Sequence, residues 1–304
     1  MSERVDIPLA AGDDSQNIIQ PGPRMLTHIF TVITRDPLSL LASVVIVLSL
    51  LAALLAPLIA PHPDQGSGKS HVSTILQAPS AQFPLGTDEL GRDIVSRILM
   101  GAQSALLIPI LVVLGAVLIG VPLGALAGYK GGWVDEVIMR ITDMFLAFPS
   151  LLLAMAIAAA LGRGLVYAAI ALIVSWWPWY TRLVRSVAAG LKKQYFVEAA
   201  RAIGVPDRLI IWRHILPNCI SPILVQATID MGTVVLAMAG LAFIGLGTQR
   251  PAPDWGLMVS DGRSYLLAQW WLSTFPGVAI FIVVLAFNIV GDTLRDIFDP
   301  RQYR

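Results

Sequence analysis

Six stretches of the chain are apolar over roughly the length a helix needs to cross a bilayer, about 20 residues. They cover residues 39–60, 104–128, 142–161, 165–181, 219–246 and 274–294. Polar positions gather between them in three large blocks, residues 61–103, 182–218 and 248–273. No two-residue alternation marks a strand, and no internal repeat is visible. The pattern predicts an all-α, polytopic membrane protein with six transmembrane helices. The fourth stretch is the shortest and ends in WWPWY at 176–180, which predicts a membrane–water boundary, since Trp and Tyr rings favour lipid while their polar ends favour water. Pro149, in AFPS, is expected to bend the third span.

Composition agrees. Of 304 residues, 56% are hydrophobic and only 13% charged, against about 25% charged in soluble chains. Such a chain cannot cover a globule with polar surface, so the bilayer is its expected solvent. The net charge of +1 argues against a nucleic-acid partner, which needs a basic excess. Cys219 is the single cysteine and excludes a disulfide framework; it reads as a small packing residue at a membrane border. The opening MSERVDIPLAAGDDSQNIIQPGPR is polar and has no basic region leading into an apolar one, so it is not a cleaved secretory signal. With both termini in the cytoplasm, the inner segments hold fifteen Lys and Arg and the outer segments six, as the positive-inside rule asks. The expected organisation is a disordered cytoplasmic tail over 1–37, a first span over 38–60, an outer loop with an amphipathic helix over 61–103, and a five-helix core over 104–304.

The outer loop ends in LGTDELGRDIVSRILMGA (85–102), an amphipathic helix that Asp88 is placed to cap. Asp88, Glu89, Arg92 and Asp93 form either a docking surface or a solvated helix face. PDQGSGKS at 63–70 imitates the end of a phosphate-binding loop, but Pro63 stands where the first glycine is needed and no buried strand precedes it. No His/Cys ligand cluster or other hydrolytic signature appears, and the chain is not expected to be an enzyme.

The block 182–218 carries seven basic residues against Glu198 and Asp207, a net +5, and its longest apolar run is Leu209–Trp212. It is not another span. Phe196, Ala199, Ala200 and Ile203 fall at helical spacing on one face, with Gln194, Glu198 and Arg201 on another. Gly204 suits a helix C-cap, Pro206 and Asp207 the first turn of a second helix, and Pro217 its end. A compact helix–turn–helix results, with the small residues Ala199 and Ala200 where another surface can approach.

This block resembles the EAA loop of binding-protein-dependent ABC importer permeases, whose pattern is E-A-A, three residues, Gly, nine residues, then I-x-L-P. Glu198, Ala199, Ala200, Gly204, Leu216 and Pro217 match. His214 departs, standing where the pattern has Ile, with Ile215 beside it. LGTDELGRDIVSRILMGA, AGYKGGWVDEVIMRITDMFLAFPSLLLA (127–154), LAFIGLGTQRPAPDWGLM (241–258) and VLAFNIVGDTLRDIFDP (284–300) are also similar to this family, in its dipeptide, oligopeptide and nickel branch. The resemblance implies a type I importer permease fold in the bacterial inner membrane. It also implies ATPase coupling through those six residues, ATP and Mg bound by two partner ATPase subunits and none by this chain, a homologous second permease, and an external substrate-binding protein. Peptides are the implied cargo, with nickel complexes, opine-like conjugates and glutathione as alternatives. An ion-coupled secondary transporter is the rival class, though such folds often show repeats and several midplane acids.

Asp230 sits near the middle of the fifth span. A central Asp costs about 2.5–3.5 kcal/mol on insertion, while the twelve Leu, Ile, Val and Phe residues between Ile220 and Leu246 return roughly 4–7 kcal/mol. The span inserts despite its acid. Asp230 either lines the translocation pathway or is a hydrogen-bonded packing residue. Arg140 with Asp143, and Asp292 with Arg295, stand three apart and read as structural ion pairs. Asp254 and Trp255, in TQRPAPDWG, either dock a binding protein or form a rigid turn.

Overall fold

A computed structural model of the chain describes residue 31 and residues 33–298; most of the expected N-terminal tail and residues 299–304 lie outside the described residues. Helix α1 (Pro37–Ile59) opens on Asp36, whose carboxylate accepts the Leu38 and Ser39 N–H groups, with Pro37 suited to the first helical position. α2 (Ile94–Ala102), a π-turn over Gln103–Leu107 and α3 (Ile108–Lys130) form one continuous rod. α4 (Gly132–Leu146) and α5 (Ser150–Leu161) follow, then α6 (Leu165–Leu191), α7 (Tyr195–Ala202), α8 (Asp207–Ile210) and a second π-turn over Ile211–Ile215. α9 (Leu216–Phe243), α10 (Trp255–Gly262) and α11 (Trp271–Phe298) complete the described chain. No strand occurs among the described residues, and the fold is all-α.

Among the described residues four helical stretches are long and apolar enough to cross a membrane, and a fifth counts if α4 and α5 make one span. α4 and α5 meet at 85°. The bend expected at Pro149 is therefore a break: Pro149 caps α5 in an extended conformation, and the helix restarts at Ser150. α6 is 27 residues long but less apolar, because WWPWYTR occupies its middle. Within that motif Trp176, Trp177 and Tyr180 are buried and Trp179 is half exposed. The helix runs on for eleven residues beyond Tyr180 to Leu191, so the motif does not end it. α1 shows the opposite character: it buries Ala53 and Ala56 and leaves Leu41, Leu48, Leu54 and Leu58 exposed, a surface for lipid chains.

The most extensive helix–helix contact joins α3 and α6. Gly120, Gly124 and Gly128 lie along one edge of α3, and a Cβ added to each would stand 2.5 Å from the carbonyl oxygens of Trp177, Thr181 and Arg185. Both sets advance by four residues, one helical turn. Small residues at this spacing let two helix backbones approach in lipid, where packing rather than water expulsion drives association. Thr181 Oγ1 donates across the seam to the Gly120 carbonyl at 3.2 Å. Two apolar cores result, a large one among α3, α5, α6, α9 and α11, and a small one beneath α7 and α8 built from Ala125, Tyr129, Val184, Ala188, Val197 and Ile210.

Two expected ion pairs do not form. Arg140 pairs with Glu136 at 3.3 Å and Asp143 with Arg182 at 2.5 Å, because Asp143 turns toward α6 rather than along its own helix. No ion pair joins Asp292 to Arg295 among the described residues.

Gly124→Leu is expected to destabilise the fold by at least about 1–3 kcal/mol, the usual range for overpacking, since the added side chain meets backbone rather than a movable side chain. Gly240→Ala, which meets nothing within 4 Å, serves as the control. Folded yield after detergent extraction and thermal melting of both variants check this.

Candidate functional site

The predicted site residues lie in three places along the helix bundle. Glu198, Ala199, Ala200, Gly204, Leu216 and Pro217 sit together at one end. Asp230 stands about 21 Å along α9 from Leu216, at 1.5 Å per residue. Asp254 and Trp255 belong to the opposite end.

At the first end, α7 and α8 form the expected helix–turn–helix. Gly204 adopts φ +82°, the left-handed region that glycine enters without a Cβ penalty. The Gly204 N–H donates to Arg201 and the Val205 N–H to Ala200, both at 3.0 Å, the paired bonds of a Schellman cap. The faces of α7 differ from expectation. Val197 and Ala200 are buried, Phe196 half-buried, and Ala199 and Ile203 exposed. Ala200 is thus a core residue, while Tyr195, Ala199 and Ile203, each four apart, make an apolar strip facing outward; Tyr195 is 88% exposed and Ile203 80%. Trp212, 70% exposed, adds a second apolar knob, and Arg201, Arg208 and Arg213 stand exposed around them.

Pro217 does not end a helix. α8 continues through the π-turn into α9 as one rod from Asp207 to Phe243. Proline lacks the N–H that an α-helix requires, and the wider turn accommodates it: the Leu216 N–H reaches Ile211 O five residues back. The same turn explains the departure at 214. Ile210, Ile215 and Cys219 are fully buried, spaced by five and then four, so the extra residue carries Ile215 inward. His214 is displaced to the side, with its ring 6.2 Å from that of Phe196.

Asp230 is 7% exposed. Its Oδ1 accepts from Gln226 Nε2 at 3.0 Å. Its Oδ2 and the Tyr180 hydroxyl of α6 are neighbours, yet neither completes a hydrogen bond of ordinary geometry. Buried groups left so are uncommon. Gln226 and Ile229 also line a groove of about 460 Å³ between α6, α9 and α11, with Leu183 and Pro222 as apolar walls and the exposed Arg295 at its rim. Tyr180 and Gln226 escaped sequence reading: Tyr180 was absorbed in the aromatic run, and Gln226 announces itself only by standing one turn before Asp230.

At the opposite end the two large loops interlock. Asp254 is buried, accepts the Leu257 N–H at 3.1 Å as cap of α10, and takes the Thr248 hydroxyl at 2.9 Å. Burial pushes its carboxyl upward. Trp255 is buried and donates from Nε1 to Ile98 O at 2.8 Å. Both side chains are engaged inside the chain. The group at 88–93 corrects the solvated-face reading: Arg92 and Arg97 are each 1% exposed. Asp88 Oδ2 lies 2.6 Å from Arg92 Nε and 3.4 Å from Arg97 Nε. Asp88 therefore does not cap α2. Asp93 does, accepting from the Ser96 N–H at 2.9 Å, while Asp88 serves two guanidiniums. Burial raises the Glu89 carboxyl beside them.

Known proteins bear on this arrangement. Residues 120–304 match the family described as binding-protein-dependent transport system inner membrane component. The chain belongs to that family. It is a permease subunit of a binding-protein-dependent ABC importer, an inner-membrane transport protein rather than an enzyme. The dipeptide transport system permease protein DppC of Alkalihalophilus pseudofirmus is 44% identical over 90% of this chain and 89% of its own. The probable D,D-dipeptide transport system permease protein DdpC of Escherichia coli is 43% identical over 88% of each. The glutathione transport system permease protein GsiD of an Escherichia coli strain is 42% identical, also over 88% of each. Two inward-facing structures of the MetNI methionine ABC transporter share the fold, with TM-scores of 0.53 and 0.55 at 21% and 20% identity, covering 67% and 66% of this permease and 97% and 96% of theirs. The fold is that of a type I ABC importer permease.

Asp88→Asn is expected to destabilise the permease by about 3–5 kcal/mol, the usual cost of breaking a buried ion pair, because two buried guanidiniums then lose their shared counter-charge. Thermal melting in detergent tests this, and a melting temperature equal to wild type would show that the cluster does not hold the loops.

Proposed function

We propose that this permease passes di- or oligopeptides into the cytoplasm from an external binding protein, as one of two similar permeases driven by two cytoplasmic ATPases that bind the ATP and Mg. The observation that carries the reading is the exposed apolar strip Tyr195–Ala199–Ile203 with Trp212, ringed by arginines on a loop net positive by five. A contiguous apolar patch with a charged rim marks a protein interface, and here it suits an ATPase groove with an acidic margin. Ala200, Gly204, Leu216 and Pro217 supply the rigid shape of the loop, with Glu198 and Ala199 on its exposed side. In this reading six spans cross the membrane, with α6 as the least apolar, and both termini are cytoplasmic. The interlocked loops at the far end offer their exposed surface, rather than Asp254 and Trp255, to the binding protein. Peptide cargo is supported by the dipeptide permeases among the relatives; glutathione-type cargo is the second reading, favoured by the glutathione permease.

Coupling is tested with Cys219→Ser, a single cysteine at Ala202, and cross-linking in native membranes. Capture of an ATPase is the expected result, lost when Glu198 or Gly204 is replaced. No capture, with uptake that survives ATP depletion and collapses with the ion gradient, would overturn the reading.

In this reading Asp230 lines the pathway, its hydrogen-bond partner Gln226 forming part of the groove between α6, α9 and α11. Asp230→Asn is expected to lower uptake of labelled dipeptide about thirtyfold, the lower end of the range for truncating one member of a buried charged contact, with membrane abundance unchanged. Uptake at the wild-type rate would remove Asp230 from the pathway.

A further inference from the structure

The turn between α7 and α8 is fastened to a span that the chain does not connect to it. Asp207 is the first residue of α8, where a carboxylate ordinarily serves its own helix by accepting free N–H groups. It makes no such cap bond. Its Oδ1 accepts instead from the Tyr129 hydroxyl at 2.8 Å, and its Oδ2 from Lys130 Nζ at 2.6 Å. Tyr129 and Lys130 are the last two residues of α3. Tyr129 is buried in the small core under the loop, and the Arg201 guanidinium of α7 lies 5.3 Å from its ring centre. Lys192, just past α6, donates to the Lys130 carbonyl at 3.2 Å. The end of α3 thus gathers the exit of α6, the last turn of α7 and the start of α8.

We propose that Asp207 is a positioning residue for energy coupling, clamping the loop to α3 so that a pull on α7 moves α3, α6 and α9 as one body. The proposal rests on the reading that this loop meets an ATPase. α6 enters α7 through a three-residue link, and α8 passes into α9 without a break, so two of the three spans are already joined to the loop by the chain. α3 is not. The Asp207 bonds to Tyr129 and Lys130, with Arg201 over the Tyr129 ring and Lys192 on the Lys130 carbonyl, hold it there, and the glycine seam then passes any displacement along the length of α6. Coupling between distant sites needs such a contiguous element with discrete positions. An exposed ion pair adds little to stability, so loss of this carboxylate leaves the fold intact while freeing the loop to rock against α3.

The test uses the complete transporter in liposomes, with both permeases, the ATPases and the binding protein, and measures peptide moved per ATP hydrolysed. Asp207→Ala is expected to retain bound ATPases and lower transport per ATP about tenfold, within the span of typical coupling effects. Tyr129→Phe is expected to give a smaller loss, and the reversed pair Lys130→Asp with Asp207→Lys to recover most of the ratio. A wild-type ratio in Asp207→Ala overturns the clamp. So does a loss that the reversed pair fails to recover while the ATPases remain bound, since Asp207 would then be acting on the ATPase itself. If wild-type permease binds no ATPase at all, the coupling role of the loop fails instead, and the two failures are told apart by that control.

Discussion

The rest of the structure depends on the backbone-to-backbone approach of α3 and α6. Three glycines put the helix axes close enough that a Cβ at any of these positions would strike a carbonyl oxygen of α6. In lipid there is no water to expel between apolar helices, so close packing must supply the association that burial supplies in water. The seam is therefore continuous over about two turns, and it is rigid because its contacts are main chain rather than rotatable side chains. Everything attached to either helix inherits a fixed distance from the other.

That rigidity joins the sites. α6 carries Tyr180 toward Asp230 in the middle of the bundle and delivers the chain into α7 at the end. α3 carries Gly120, Gly124 and Gly128 against it and finishes in Tyr129 and Lys130, which hold Asp207. The π-turn at Ile211–Ile215 completes the connection by letting Pro217 lie within a continuous rod instead of interrupting it. The loop is thus built into three spans by three different means: chain connection, side-chain clamp and helix continuity.

At the opposite end buried charge is added to close packing, where a Cβ on Gly256 would stand 2.2 Å from the Ala239 carbonyl oxygen. Asp88 sits between two guanidiniums almost wholly withdrawn from solvent, and Arg97 Nη1 reaches the Pro251 carbonyl of the other loop at 3.5 Å. Buried charges tolerate this only when paired, because an isolated ion there is costly. Trp255 on Ile98 O and Trp271 on Thr87 O tie the same loops with neutral bonds. Long connections that would otherwise be loose become a cap over the bundle.

The sequence by itself determined that the chain lives in a membrane, that it is all-α, where most spans run, and that a turn at Gly204 separates two helical segments within residues 182–218. Those properties are local: mean hydropathy over one span, a glycine at a left-handed position, a proline in a first turn. Tertiary structure decided which face of each helix meets what. WWPWY reads as the end of a span by composition, yet α6 runs through it, with Tyr180 packed against α3 and Trp179 left half exposed. Asp88 reads as a cap and becomes a counter-ion because Arg97 is folded over it, leaving the cap to Asp93. Ala199 and Ala200 are neighbours of one type, yet one faces out and the other in, since the rotation of α7 is set by Val197 and Ile210 in the core beneath. Asp207 could serve its own helix, and it is drawn away because Tyr129 and Lys130 arrive from a span more than seventy residues earlier. Pairing of polar groups across such separations depends on how the helices are rotated and stacked, and that is fixed only when the bundle closes.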